Sequence, residues 1–137
     1  TSFGHLRDQA KEYGGTQTAL WGITAGVYLA TMGPQGMREV GETIMHNAQF
    51  AAKQLDGLKG LEIRFNTPFF EEFVVDFSKT GKTVEEVNKE LLKHNIFGGK
   101  DLSKDFPWLG QCAMYCVTEI HTKEDIEALT DALNEIL

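Results

Sequence analysis

The sequence has few of the features that characterise nucleic-acid-binding or membrane-spanning proteins. Its 13 basic residues, only three of them arginine, never stand next to one another, and the formal net charge is −7. Because binding to phosphates needs clustered basic side chains, neither nucleic acid nor an anionic membrane is expected as a partner. No apolar run reaches the roughly 18 residues of a membrane-spanning helix, and no signal-peptide pattern is visible.

Cysteine is also scarce, with only Cys112 and Cys116. We interpret them as same-face positions of one strand, about 13 Å apart, which is too far for a disulfide. We therefore expect two buried free thiols, which fits a cytoplasmic protein.

Common catalytic and metal-binding motifs are missing as well. The sequence has no Cys-x-x-Cys, no His-Glu-x-x-His and no glycine-rich loop between a strand and a helix. Gly98-Gly99 is interpreted as a turn or loop signal between two elements and not as a binding loop. The four histidines are scattered, and His121 is interpreted as a turn residue. We therefore expect no self-contained active site and no metal site.

Two helices are predicted in the first half. Residues 16–32 are apolar on almost every side, and Thr16 can cap their start. Such a helix is normally buried, so we expect its cover in chain that is absent here. Residues 33–36 end this helix, and residues 37–58 follow with an amphipathic period. Since the chain begins with Thr1, we expect a piece of a longer polypeptide.

The second half predicts strands at residues 61–65, 70–77, 96–97 and 111–118. The last of these is apolar on both faces, which is typical of a central strand. Together with the helices, the order is two helices, then β, β, α, short β, β, α. This order predicts an α+β fold in which helices pack against a small mixed sheet.

Two further helices are predicted by capping boxes. Thr83 pairs with Glu86, and Thr122 pairs with Asp125. The buried stripes are expected to consist of Val84, Val87, Leu91 and Leu92 in the first helix, and of Ile126, Leu129, Leu133, Ile136 and Leu137 in the second.

A few side chains are candidates for a site. Glu71 and Glu72 stand at a strand start, where two carboxylates could raise each other's pKa. Glu119 follows a doubly apolar strand and is expected to be partly buried. For the pair Glu71 and Glu72, a solvated charge at the sheet edge is the ordinary alternative. Three aromatic residues could line a pocket or simply pack: Tyr13, Trp21 and Trp108.

Three segments resemble one enzyme family. Residues 25–40 contain Tyr-Leu-Ala-Thr-Met-Gly-Pro-Gln-Gly-Met-Arg-Glu-Val, which resembles the Tyr-Leu-Ala-x-x-Gly-Pro-x-Gly-Leu-Arg-Glu-Val segment of glycine dehydrogenase P-proteins. Residues 69–73, Phe-Phe-Glu-Glu-Phe, resemble a Pro-Phe-Phe-x-Glu-Phe strand of subunit 1 in the split, two-subunit form. Residues 117–119 and 122–126 match the C-terminal signature of that subunit. The resemblance runs from about residue 16 to residue 137.

The resemblance implies the C-terminal small domain of a fold type I PLP-dependent transferase-like protein. Residues 1–36 would be a remnant of the large domain, residues 37–60 a linker helix, and residues 61–137 the small α+β domain. This assignment would explain the missing cover of the first helix.

The resemblance also implies a function within a complex. A lysine-bearing subunit 2 would hold pyridoxal phosphate (PLP), and the pair would decarboxylate glycine and pass the aminomethyl group to lipoyl H-protein. Subunit 1 would lack that lysine, so the fragment alone is expected to bind no cofactor, to be inactive and to contribute no catalytic residue. It would contribute part of the active-site wall, for which the candidates are Glu119, Thr118 and Glu72.

Two alternatives stay open at this point. The chain could be the small domain of another fold type I enzyme, such as an aminotransferase or cysteine desulfurase relative. It could also be a stand-alone binding module, which would bury residues 16–32 within itself. The first interpretation instead predicts that these residues are exposed or associate with a second copy.

Overall fold

The computed structural model describes residues 18–137. Its first element is the long helix α1 (Thr18–Asp56), which is interrupted at Gly33. Gly33 has a φ of 61°, which glycine adopts readily because it has no Cβ. Pro34 follows directly, at a helix start where its missing N–H is not needed. The predicted end of one helix and start of another is confirmed, while the proposed cap Thr16 lies outside the described residues.

The chain divides into two units between residues 38 and 39, and the described part of the first unit is residues 18–38. Between residues 20 and 29, six large apolar side chains are 49–77% exposed. This exposure agrees with an over-apolar helix, and the location of its cover stays a prediction. The exposed side chains are Leu20, Trp21, Ile23, Val27, Tyr28 and Leu29.

The second unit contains a four-stranded sheet of β1 (Glu62–Ile63), β2 (Glu72–Asp76), β3 (Lys100–Asp101) and β4 (Cys112–Cys116). The strand order is β1-β2-β4-β3, so β4 is central as predicted. All three pairings are antiparallel, so the sheet is not the mixed one expected. The apolar pattern indicates which face of a strand is buried but not the direction in which a neighbouring strand runs.

Helices α2 (Val84–Lys93) and α3 (Lys123–Ile136) both begin at the predicted capping boxes. In each box the threonine hydroxyl accepts a hydrogen bond from the backbone N–H of the third helical residue, at 3.2 Å. The carboxylate of that residue accepts a bond from the threonine N–H in return, at 2.8 Å. These bonds satisfy donors that a helix start otherwise leaves unpaired.

One face of the sheet and the three helices enclose a single core. The α1 segment from Glu39 onward contributes a stripe of small residues and Leu55, while β2 and β4 contribute alternate residues. Alternation along the strands directs every second side chain to the core. The core members from the strands and the residues that directly follow them are Phe73, Val75, Phe77, Ala113, Tyr115 and Val117.

Further sequence-based expectations are wrong in this unit. Residues 96–97 are not a strand; the pairing begins only at Lys100, after Gly98-Gly99. Leu92 is 51% exposed because only one side of α2 contacts the core. Cys116 is exposed although Cys112 is buried, and both are free. Cys116 lies on the sheet face opposite the core.

Candidate functional site

The three predicted wall residues lie at the same end of the sheet, where β2 begins and β4 ends. Glu72 lies opposite Cys116 in the antiparallel register. The N–H of Val117 donates to the carbonyl of Glu71 at 2.9 Å, so pairing continues to the residue before Thr118. We call this region the β2–β4 end; it comprises Glu71, Glu72, Thr118, Glu119 and His121.

A side chain from α1 holds the turn at this end. The Nδ2 atom of Asn47 donates to the carbonyl of Thr118 at 3.2 Å and to the carbonyl of His121 at 2.9 Å. The turn also has its own backbone bond, from the N–H of His121 to the carbonyl of Thr118 at 3.3 Å. The Asn47 amide therefore fastens an already formed turn to the helix.

The ring of His121 folds back onto the same turn. Its Nδ1 atom accepts a hydrogen bond from the N–H of Thr118 at 3.0 Å. An accepting Nδ1 places the proton of the neutral imidazole on Nε2. The prediction that His121 is a turn residue agrees with this contact, and the ring presents one N–H donor at the β2–β4 end.

The carboxylates at this end are solvent-accessible. Glu72 and Glu119 are exposed and Glu71 is half-buried, so the expected partial burial of Glu119 is wrong. Glu119 follows the last core residue, Val117, by two positions and lies beyond the edge of the core. These carboxylates can accept hydrogen bonds from amino or ammonium groups.

Neither cysteine is prepared for nucleophilic chemistry. Partial burial raises the pKa of the Cys116 thiol, and the carboxylates of Glu71 and Glu72 raise it further. Burial likewise raises the pKa of Cys112. A thiol is reactive as the thiolate, so a raised pKa lowers the thiolate fraction of both side chains.

A small groove lined mainly by apolar residues adjoins Glu72. Its volume is about 260 Å³, slightly less than a typical small-molecule pocket. It is lined by Phe65, Thr67, Phe69, Glu72, Phe73, Val74 and Met114. A larger groove of about 700 Å³ lies between α1, β1 and residues 65–69, and contains none of the predicted site residues. Reactive groups converge in neither groove.

The aromatic candidates do not build a pocket at the β2–β4 end. Trp21 belongs to the first unit and is 77% exposed. Trp108 contacts Phe106 edge-to-face, with ring centroids 5.4 Å apart, and is 74% exposed. Tyr13 lies outside the described residues.

The described basic residues do not fit a pyridoxal phosphate site. A Schiff-base lysine is activated in a desolvated pocket. Every lysine between residues 18 and 137 is exposed except Lys82, which is half-buried and donates to the carbonyl of Ile136. Arg38 is exposed, and Arg64 pairs with Asp76 at 3.3 Å. No step through that cofactor is therefore assigned to these side chains.

Within residues 18–137, no group of three or more His, Cys, Asp or Glu side chains could hold a metal ion. Over the same range, none of the helices combines the length and the apolar character needed to cross a membrane.

Sequence reasoning missed Asn47. Asparagine is a poor helix former in a helix interior, so its presence midway along an amphipathic helix was a usable signal. Ala48 and Ala51, one and four positions later, are fully buried. Asn47 therefore lies at the edge of the buried stripe, where a polar side chain can reach a neighbouring turn.

Comparisons with known proteins agree on one family. No protein-family model matches the chain. Probable glycine dehydrogenase (decarboxylating) subunit 1 of Desulfitobacterium hafniense is 36% identical over 118 residues, which is 86% of this chain and 26% of that protein. The protein of the same name from Desulforamulus reducens is 38% identical over 130 residues, 95% of this chain and 28% of that protein. That from Brevibacillus brevis is 42% identical over 118 residues, 86% of this chain and 25% of that protein.

The fold comparison gives the same result. A crystal structure of glycine decarboxylase (P-protein) of the glycine cleavage system, in inhibitor-bound form, matches with a TM-score of 0.81 and 30% identity. The match covers 96% of this chain and 29% of that chain. The chain thus spans about a quarter of the length of the curated relatives it matches. Over the part that it spans, this chain is a homologue of glycine dehydrogenase (decarboxylating) subunit 1.

Proposed function

We propose that this chain is the small-domain portion of a glycine dehydrogenase (decarboxylating) subunit 1. In this role it pairs with a lysine-bearing subunit 2 and forms part of the wall of a shared active site. The complex decarboxylates glycine and passes the aminomethyl group to lipoyl H-protein in the cytoplasm. The observation that carries the proposal is the 36–42% identity to subunit 1 proteins over most of the chain.

The domain assignment follows from the same proposal. Residues 1–36 belong to the large domain, residues 37–60 form the linker helix and residues 61–137 form the small domain. The exposed apolar helix supports this division, because a helix without a polar face is normally covered by neighbouring elements. The boundary of the second unit at residue 39 supports the division near residue 36, whereas residues 39–60 share one core with residues 61–137.

In this proposal the chain contributes positioning and charge. The cofactor, held by the partner subunit, supplies the electron sink for decarboxylation. At the β2–β4 end, Glu72 and Glu119 present carboxylates that can accept hydrogen bonds from an amino group. The Nε2–H of His121 is a donor that can orient an acceptor beside them.

The test is co-expression of the polypeptide that carries this chain with a lysine-bearing subunit 2. We expect a stable complex that exchanges CO₂ with glycine in the presence of lipoyl H-protein. Glu119→Gln should lower kcat/KM by about tenfold, which corresponds to one charge-assisted hydrogen bond of roughly 1.5 kcal/mol.

The matched control for this experiment is Glu135→Gln. Glu135 is an exposed carboxylate near the end of α3, away from the β2–β4 end, so its replacement should leave the exchange rate unchanged. If no complex forms, or if the complex shows no glycine-dependent exchange, the proposed function is wrong.

A further inference from the structure

We propose that Asn47 is a positioning residue that fixes the location of Glu119 in the active-site wall. This inference rests on the proposed function. Asn47 lies in α1, far in sequence from the turn of residues 118–121. We expect it to act on Glu119 only through its hydrogen bonds to this turn.

The anchor is rigid because α1 is packed at this point. Ala48 and Ala51 have no exposed surface and belong to the core. A helix segment that is buried one and four positions after Asn47 cannot rotate without opening the core. The amide of Asn47 therefore projects from a fixed base.

The contact is a double one. A single Nδ2 group donates to the carbonyls of Thr118 and His121 at 3.2 and 2.9 Å. These two carbonyls lie on either side of Glu119. An asparagine amide that holds both sides of the turn restrains the residue between them.

The turn does not depend on Asn47 for its own formation. The N–H of His121 donates to the carbonyl of Thr118, and the N–H of Thr118 donates to the His121 ring. Loss of the Asn47 amide should therefore detach a formed turn from α1 without unfolding it. Glu119 would then lose its fixed position while the core stays intact.

Asn88 offers a matched control. Its Nδ2 atom also donates to a backbone carbonyl of a distant segment, that of Gly99, at 2.8 Å. Asn88→Ala and Asn47→Ala each remove a helix asparagine that fastens a loop. Only Asn47 holds the turn that contains Glu119.

The experiment uses the polypeptide that carries this chain in complex with its lysine-bearing partner. Asn47→Ala should lower kcat/KM for glycine by about tenfold, the size expected when one or two neutral hydrogen bonds are lost. Asn47→Asp should have a larger effect because a carboxylate oxygen would face the two carbonyls. Asn88→Ala should change kcat/KM by less than about twofold.

A double-mutant cycle separates positioning from general destabilisation. If Asn47 acts through Glu119, Asn47→Ala combined with Glu119→Gln should be no slower than Glu119→Gln alone. The proposal is overturned if the two substitutions lower kcat/KM independently, so that their effects multiply in the double variant. It is also overturned if the Glu119→Gln complex keeps full activity.

Hydrogen–deuterium exchange on the same preparations measures how firmly the turn is held, and this measurement does not need an active complex. In Asn47→Ala, a peptide covering residues 117–122 should exchange faster than in the wild type, by about tenfold. Asn88→Ala should leave that peptide unchanged. If the wild-type complex is inactive, the proposed function fails, and unchanged exchange in Asn47→Ala would then overturn the positioning role independently.

Discussion

Gly99 packs directly against the ring of Tyr115. A Cβ atom on this glycine would lie 2.7 Å from Cε2 of Tyr115 and 2.9 Å from the backbone oxygen of Met114. Gly98 is similarly confined, since a Cβ there would lie 2.0 Å from Oδ1 of Asn88. Gly99 therefore allows the chain to approach β4 closely, and Gly98 allows it to approach α2 closely.

Gly99→Ala should destabilise the chain by roughly 1–3 kcal/mol, the usual cost of overpacking a filled core. The loss should appear as a lower midpoint in denaturant unfolding followed by circular dichroism. Gly41→Ala is the matched control, because a Cβ there meets nothing within 4 Å and lies in a helix. It should stabilise by about 0.5–1 kcal/mol. Equal effects of the two substitutions would contradict the packing role.

Adjacent leucines on α2 should respond very differently to truncation. Leu91 is fully buried and Leu92 is 51% exposed. Leu91→Ala should cost about 2–5 kcal/mol through lost burial and a cavity, whereas Leu92→Ala should stay near 0.5 kcal/mol. Thermal unfolding of the two variants provides the measurement. A large loss for Leu92→Ala would mean that the buried stripe is wider than the structure shows.

Alkaline pH should reduce stability through Tyr115. Burial raises the pKa of this phenol from 10.0 to about 12. A group with a raised folded-state pKa contributes stability below its unfolded pKa, and that contribution is lost as pH rises through the folded value. Between pH 10 and 12 the wild type should therefore lose up to roughly 3 kcal/mol more than Tyr115→Phe. Denaturant titrations at several pH values would measure the difference, and parallel curves for the two proteins would disprove it.

The apolar side chains of the first unit should cause self-association of the isolated chain. Leu20, Ile23 and Val27 are 61–70% exposed, and apolar patches of this kind promote association. Sedimentation velocity should show species larger than a monomer as concentration rises. Replacing these three residues with serine should restore the monomer. A wild-type chain that stays strictly monomeric at high concentration would contradict this prediction.

The local elements were largely predictable, for an identifiable reason. Capping boxes at Thr83 and Thr122 act over three residues, and alternation along β2 places Phe73 and Val75 on one face regardless of what lies elsewhere. The break at Gly33 needs a positive φ, and the Gly-Pro pair in the sequence indicates such a break. Each of these patterns depends only on residues that are a few positions apart in the sequence.

The candidate site was only partly predictable. The strand pattern indicated Glu72 and Glu119, the family resemblance added Thr118, and the register of β2 against β4 brings them to one sheet end. Asn47 was missed because its partners lie 71 and 74 positions away. No spacing rule connects residues over such a distance.

The sequence by itself determined the helix starts, the buried strand faces, the over-apolar first helix and, through three motifs in register, the family resemblance. Only the tertiary structure decided the antiparallel direction of every strand pair, the exposure of Leu92, Cys116 and Glu119, and the Asn47 contact. The physical reason is the distance along the sequence over which each interaction acts. Capping and alternation depend on covalent neighbours, whereas strand direction, burial and side-chain partners depend on which distant segments pack together.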